Sequence, residues 1–231
     1  MAEKIAGILG GMGPEATVDL MNRIIKATPA KDDIDHIRMV VDNNPKVPSR
    51  IRALIEGNGP SPGPCLQEMA RKLENWGVDF LAMPCNTAHF YHQEIQEAVS
   101  IPVLDMIELT VGQIAGSHSQ INTVGLIAST AVINLDIYKN AFALKDINLI
   151  TPQPRLQDAL MSAIRCIKTC RYGEEVGLTM QKAADDLIQN GAQVLLIACT
   201  ELSIIGSGVR AEIPILDAAQ ILAEAIVREA R

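Results

Sequence analysis

The chain has 231 residues, 48% hydrophobic and 20% charged, a balance that supports one large or two small folded domains and excludes global disorder. Aromatic residues supply only 3%, so the core rests on Ile, Leu, Val, Ala and Met, which suits layered helices and parallel strands better than an antiparallel sandwich. A net charge of −7 and a pI of about 5.1, with no basic patch, exclude nucleic acid as a partner, and an acidic ligand would need local Arg or Lys to capture it.

The first residues, Met1-Ala2-Glu3-Lys4-Ile5, run directly into an apolar strand, 5–9, without a secretory leader. A helix is predicted over 15–27 and a second strand over 37–41. The stretch Gly57-Asn58-Gly59-Pro60-Ser61-Pro62-Gly63-Pro64 reads as a loop. A helix follows over 65–76, with Leu66, Met69, Ala70 and Leu73 on one face. Strands are predicted over 78–83 and 101–104. The chain then loosens around Gly112, Gly116 and Ser117-His118-Ser119, which marks a domain boundary. No apolar run is long enough to cross a membrane. Five cysteines in neither a disulfide nor a zinc spacing predict reduced thiols, no metal site and a cytoplasmic protein.

The second half repeats the first in order. Gly7-Ile8-Leu9 returns as Gly125-Leu126-Ile127 at an offset of 118, and Gly77-Val78-Asp79-Phe80-Leu81 returns as Gly191-Ala192-Gln193-Val194-Leu195 at 114. Ile101-Pro102-Val103-Leu104-Asp105 returns as Ile213-Pro214-Ile215-Leu216-Asp217 at 112. The predicted fold class is therefore α/β. Two similar lobes, each a short parallel sheet flanked by helices, are related by pseudo-twofold symmetry with the site in the cleft between them. The first lobe is 1–112 plus 217–231 and the second is 113–216. The closing helix ties the two together.

Cys85 and Cys199 share the offset of 114, each at the end of an apolar strand. A thiol has a reference pKa of about 8.5, so thiol and thiolate are both accessible near neutrality with a modest shift. One cysteine as base and the other as acid can move a proton from one face of a carbon to the other. Asn86, Thr87 and Thr200, with their backbone N–H groups, suit a substrate carboxylate. Ser129-Thr130 occupy the repeat position of Gly11-Met12 and suit the same group. Cys65, Cys166 and Cys170 read as buried core residues. His36, His92 and His118 read as surface or loop residues, and His89 as a support for the Cys85 loop. A Cys85–His89 nucleophilic pair is the competing chemistry, but it has no counterpart after Cys199 and leaves that cysteine without a role. Gly11-Met12-Gly13-Pro14-Glu15-Ala16, with Asp42 at the second strand end, outlines a dinucleotide site. That reading explains neither the paired cysteines nor the repeat.

Met83-Pro84-Cys85-Asn86-Thr87-Ala88-His89 and Ala198-Cys199-Thr200-Glu201-Leu202 resemble the paired signature of the aspartate/glutamate racemase family. Gly10-Gly11-Met12-Gly13-Pro14-Glu15-Ala16-Thr17 is similar to its aspartate racemase branch, and the resemblance runs over essentially the whole chain. It implies a racemase without a cofactor that interconverts L- and D-aspartate, with glutamate as a second substrate, by proton transfer between Cys85 and Cys199. It further implies a small acidic amino-acid substrate gripped at its distal carboxylate by Arg50 in Pro48-Ser49-Arg50 and by Lys168. Met12 and Glu201 are the remaining expected substrate contacts, and a homodimer the expected assembly. The alternatives are a related cysteine isomerase of maleate or hydantoin type, or a non-catalytic acidic amino-acid binding protein.

Overall fold

The computed structural model describes residues 3–117 and 121–231, so His118 and Ser119 lie outside the described residues. The chain forms two compact units, Met1–Met106 with Gln220–Arg231, and Ile107–Ala219. Among the described residues no helix is long and apolar enough to cross a membrane.

The first unit contains β1 (Ala6–Gly10), α1 (Pro14–Ala27), β2 (Met39–Asn43), α2 (Arg50–Leu54), α3 (Gly63–Trp76), β3 (Phe80–Ala82) and α4 (His92–Gln96). Its strands are parallel in the order β2-β1-β3. Strand β1 is buried at every position, as a strand covered on both faces must be. The expected strand 101–104 contracts to one parallel bridge between Val103 and Leu81. Leu81 N–H bonds Pro102 O and Leu104 N–H returns to Leu81 O, both at 2.8 Å, after which Met106 N–H turns to His89 Nε2 instead of the neighbouring strand. Strand β2 begins two residues later than predicted, after a capped 3-10 turn at Asp33–Asp35. Helix α3 begins two residues earlier, because Pro64 fits the first turn, where a missing N–H costs nothing.

The second unit contains most of α5 (Met106–Ser117), then β4 (Thr123–Ala128), α6 (Thr130–Asn134), α7 (Ile137–Ala143), β5 (Asn148–Ile150), α8 (Pro154–Lys168), α9 (Glu174–Gln189), β6 (Val194–Ala198), α10 (Thr200–Ile205) and β7 (Ile215–Asp217). Its parallel order is β5-β4-β6-β7. Gly112 and Gly116 lie inside α5 rather than loosening the chain. The chain returns to the first unit within α11 (Ala218–Ala230), whose end is fixed there by Lys4 N–H to Ala230 O at 3.0 Å and by the Lys4–Glu229 ion pair at 2.5 Å.

The sequence repeat is a repeat of contacts. Gly7 pairs in register with Leu81, and Gly125 with Leu195. A Cβ on Gly7 would stand 2.7 Å from Leu81 and 2.8 Å from Val78, while a Cβ on Gly125 would stand 3.0 Å from Leu195 and 2.9 Å from Ala192. Both glycines exist because a neighbouring strand approaches there too closely for a side chain. Asp79 N–H bonds Ile5 O at 2.9 Å, and Gln193 N–H bonds Thr123 O at 3.0 Å. Leu195 N–H bonds Pro214 O at 2.9 Å, which reproduces the Leu81–Pro102 bond.

Candidate active site

Each sheet changes winding direction beside its first strand, between β1 and β3 in one unit and between β4 and β6 in the other. In open α/β sheets ligands bind beyond the carboxyl ends of the strands at such a point. The first unit places the Gly10-to-Gly13 turn and the Met83-to-Thr87 loop there. The second places Ser129-Thr130 and Cys199-Thr200 there, directly after the paired residues Ala128 and Ala198. Topology therefore puts each cysteine on the crevice of its own sheet.

The glycine turn is dictated by crowding. Gly11 has φ +92°, and a Cβ there would lie 2.2 Å from the Asn44 backbone. Its N–H donates to Thr17 Oγ1 at 2.9 Å, and Thr17 donates to Gly13 O at 3.1 Å. Arg50, the first residue of α2, donates to Met12 O at 3.0 Å and Pro48 O at 3.1 Å. Met12 and Arg50, expected separately as substrate contacts, are thus joined by the Met12 carbonyl.

Cys85 is buried at the end of the β3 segment. Its carbonyl accepts from Ala88 N–H at 3.1 Å and faces His89 Nδ1 at 2.9 Å. His89 Nε2 accepts from Met106 N–H at 3.1 Å, so the ring proton resides on Nδ1, which donates to Cys85 O. Burial, ahead of every other cause, pushes the His89 pKa below the ordinary imidazole value, so the ring is neutral. Both of its nitrogens are committed to backbone, and its partner at Cys85 is the carbonyl. That arrangement argues against His89 as the base of a nucleophilic thiol. Asn86 is buried, and Thr87 opens the 3-10 turn Thr87–Tyr91.

Cys199 stands at the start of α10 and is equally buried. Its Sγ donates to Glu201 Oε2 at 3.3 Å, and Glu201 Oε1 forms an ion pair with Lys168 at the end of α8. Burial first, and the Glu201 charge second, push the Cys199 thiol well above its usual pKa, with Lys168 and the Leu202 backbone N–H opposing them. The Cys199 carbonyl accepts from Ser203 Oγ at 3.2 Å, and Ser203 Oγ is 2.7 Å from Asp217 Oδ1. Ser203 lies 114 residues after His89, the offset of the cysteines themselves. Each cysteine carbonyl is therefore gripped by the side chain four residues on, which ties in turn to Met106, just after the first Ile-Pro-x-Leu-Asp segment, and to Asp217, the last residue of the second.

Thr130 is placed by Gln157, whose buried amide donates to Ala128 O at 3.0 Å and Thr130 Oγ1 at 3.1 Å. As an acceptor in that bond, the Thr130 hydroxyl keeps its own proton to offer elsewhere. Thr200 is buried beside Cys199. Sequence reasoning missed Gln157 and Ser203. Extending the 114 offset four residues beyond the cysteines would have found Ser203, whereas no local pattern announces Gln157.

Two expectations are corrected. Cys166 and Cys170 are exposed and Cys65 is half-buried, not core residues. The buried stripe of α8 runs through Leu160, Ile164 and Ile167, which turns Cys166 outward, and Cys170 falls beyond the helix end at φ +53°. His92 is a half-buried helix residue rather than a loop one, bonding Val103 O at 2.9 Å and stacking on His89 at 5.9 Å. Among the described residues, no cluster of His, Cys, Asp and Glu could hold a metal ion.

Two parallel sheets flanked by helices, each presenting a cysteine loop at its switch point, define an α/β fold of the racemase type. The chain belongs to the Asp/Glu/hydantoin racemase family, whose model matches residues 9–226, and it is an isomerase of that family. It is 30% identical to the broad-specificity amino-acid racemase RacX of Bacillus subtilis, over 96% of each chain. Among solved structures, the aspartate racemase of Picrophilus torridus is similar at 33% identity and a TM-score of 0.86, covering 98% of this chain and 94% of that one. An aspartate racemase homologue from Pyrococcus horikoshii shares the fold at 18% identity and a TM-score of 0.74, covering 99% of both chains.

Proposed function

We propose that the protein interconverts L- and D-aspartate, with glutamate as a second substrate, by two-base proton transfer between Cys85 and Cys199 and without a cofactor. The observation that carries this reading is the matched setting of the two cysteines. Both are buried, both follow the strand at a sheet switch point, and both have their carbonyl gripped by the residue four positions on. In the proposed reaction one sulfur removes the α-proton as thiolate while the other, as thiol, protonates the opposite face of the planar carbon. Asn86, Thr87, Thr130 and Thr200 orient the α-carboxylate by hydrogen bonds. Arg50 meets the distal carboxylate with the guanidinium nitrogens that now serve the Met12 and Pro48 carbonyls. Lys168 joins it there while another of its three N–H groups keeps Glu201.

The proposed assembly is a homodimer, which light scattering checks. Chiral chromatography of L-aspartate incubated with the protein alone tests the reaction. Conversion to the D form that disappears in both Cys85→Ala and Cys199→Ala supports it, and undiminished conversion by either variant refutes it.

A broader substrate range is the second reading. Lys168, expected to hold the distal carboxylate, is already in an ion pair with Glu201, and the Bacillus subtilis relative bears a broad-specificity name. A panel of acidic and neutral amino acids separates the two readings.

A further inference from the structure

Glu201 sits where nothing in the two-base scheme requires a carboxylate. It is buried, yet it is divided between two functions: Oε1 meets the Lys168 ammonium, and Oε2 receives the Cys199 thiol at 3.3 Å. A thiolate and a carboxylate in that contact would repel without water to screen them. The geometry therefore holds one proton between Sγ and Oε2. Two charged groups bear on the sulfur, Glu201 from α10 and Lys168 from α8, while Asp217 at the end of β7 reaches only the Cys199 carbonyl side, through the Ser203 hydroxyl.

We propose that Glu201 is the proton acceptor that frees the Cys199 thiolate, with Lys168 fixing the carboxylate so that one oxygen always faces the sulfur. This rests on the racemase reading above and gives Glu201 a part in the chemistry rather than in holding substrate. In the direction where Cys199 is the base, its S–H bond breaks with the electron pair left on sulfur, and the proton forms an O–H bond on Glu201. The thiolate pair then forms a new S–H bond with the α-proton, and the C–H pair stays on the substrate as a carbanion. Cys85 protonates that carbanion. Afterwards Glu201 gives its proton to solvent and Cys85 takes one from solvent, so the cycle closes with no net gain or loss. Burial raises the affinity of the Cys199 sulfur for its proton, which places the proton on sulfur at rest and makes an adjacent acceptor necessary.

Glu201→Gln separates this role from a structural one, because it moves two readouts in opposite directions. Removing the negative charge makes the Cys199 thiolate easier to form. Iodoacetamide labelling of Cys199, followed by peptide mass spectrometry at one mildly alkaline pH, is therefore expected to accelerate severalfold. Turnover is expected to fall about a hundredfold, the usual scale for losing a general base. Glu201→Asp, which keeps a carboxylate on a shorter stem, is expected to recover part of the turnover and the slow labelling. Faster labelling with undiminished turnover would overturn the proton-acceptor role, and unchanged labelling would overturn the Glu201–Cys199 coupling itself. If the wild-type protein inverts no amino acid, the racemase reading fails, while the labelling comparison still decides whether Glu201 governs the Cys199 proton.

Discussion

His89 offers a quantitative test of how the Cys85 loop is held. Replacing it with Ala removes two hydrogen bonds, one to the Cys85 carbonyl and one from the Met106 amide. Each contributes about 0.5–1.5 kcal/mol net. The vacated ring leaves a cavity in a buried site, which adds about 2 kcal/mol or more. The sum is about 3–5 kcal/mol, a large fraction of the stability of an ordinary domain.

The pH dependence gives a second, independent readout. Because burial depresses the His89 pKa in the folded state, the unfolded chain binds a proton that the folded chain refuses once the pH falls below the ordinary imidazole pKa of about 6.5. The stabilisation is complete above that pH and is lost as the pH drops from 6.5 toward the folded pKa, by up to about 1.4 kcal/mol per unit. His89→Gln keeps a donor and an acceptor but cannot titrate there, so its stability is expected to be flatter across that window. Urea unfolding followed by the fluorescence of Trp76, the one tryptophan and a residue of the same unit, measures both effects. A cost below about 1 kcal/mol for the Ala variant, or an acid-side slope unchanged in the Gln variant, would refute the reasoning.

Three further outcomes are expected. Gly11→Ala combines a left-handed backbone with a Cβ placed 2.2 Å from the Asn44 backbone, so a loss of about 3 kcal/mol or more is expected in the same unfolding assay. Ser203→Ala, which removes the hydroxyl between the Cys199 carbonyl and Asp217, is expected to cost about 1 kcal/mol and to slow inversion of aspartate more than it raises KM. In the native protein Cys166 and Cys170 are expected to react with a thiol reagent well before Cys85 and Cys199, which peptide mapping over time resolves.

The repeat was legible in the sequence because close strand packing demands particular residues. Gly7 and Gly125 are glycines where a neighbouring Leu leaves no room for a Cβ. Gly77 and Gly191 both turn the chain at positive φ where a helix ends. Such positions tolerate few alternatives, so the two copies stayed similar enough to align and carried the cysteines with them. Side-chain meetings across the fold left no such trace. The Lys168–Glu201 pair spans 33 residues and two helices, and neither residue belongs to a periodic pattern. The exposure of Cys166 was hidden for a related reason: an apolar-looking residue one step off the buried stripe of a helix cannot be told from one on it by composition. Strand 101–104 shows the limit of pattern at the backbone, since its apolar run is intact but only Val103 pairs and the Met106 N–H beyond it goes to a side chain.

Incubation of L-aspartate with the protein in D2O, without added cofactor, tests the two-cysteine reaction most directly. The early D-aspartate is expected to carry deuterium at the α-carbon while the remaining L-aspartate keeps its proton, because separate thiols serve the two faces. Both signals are expected to vanish when either Cys85 or Cys199 is replaced by Ala. Inversion that survives either replacement, or deuterium entering both enantiomers equally from the outset, would contradict it.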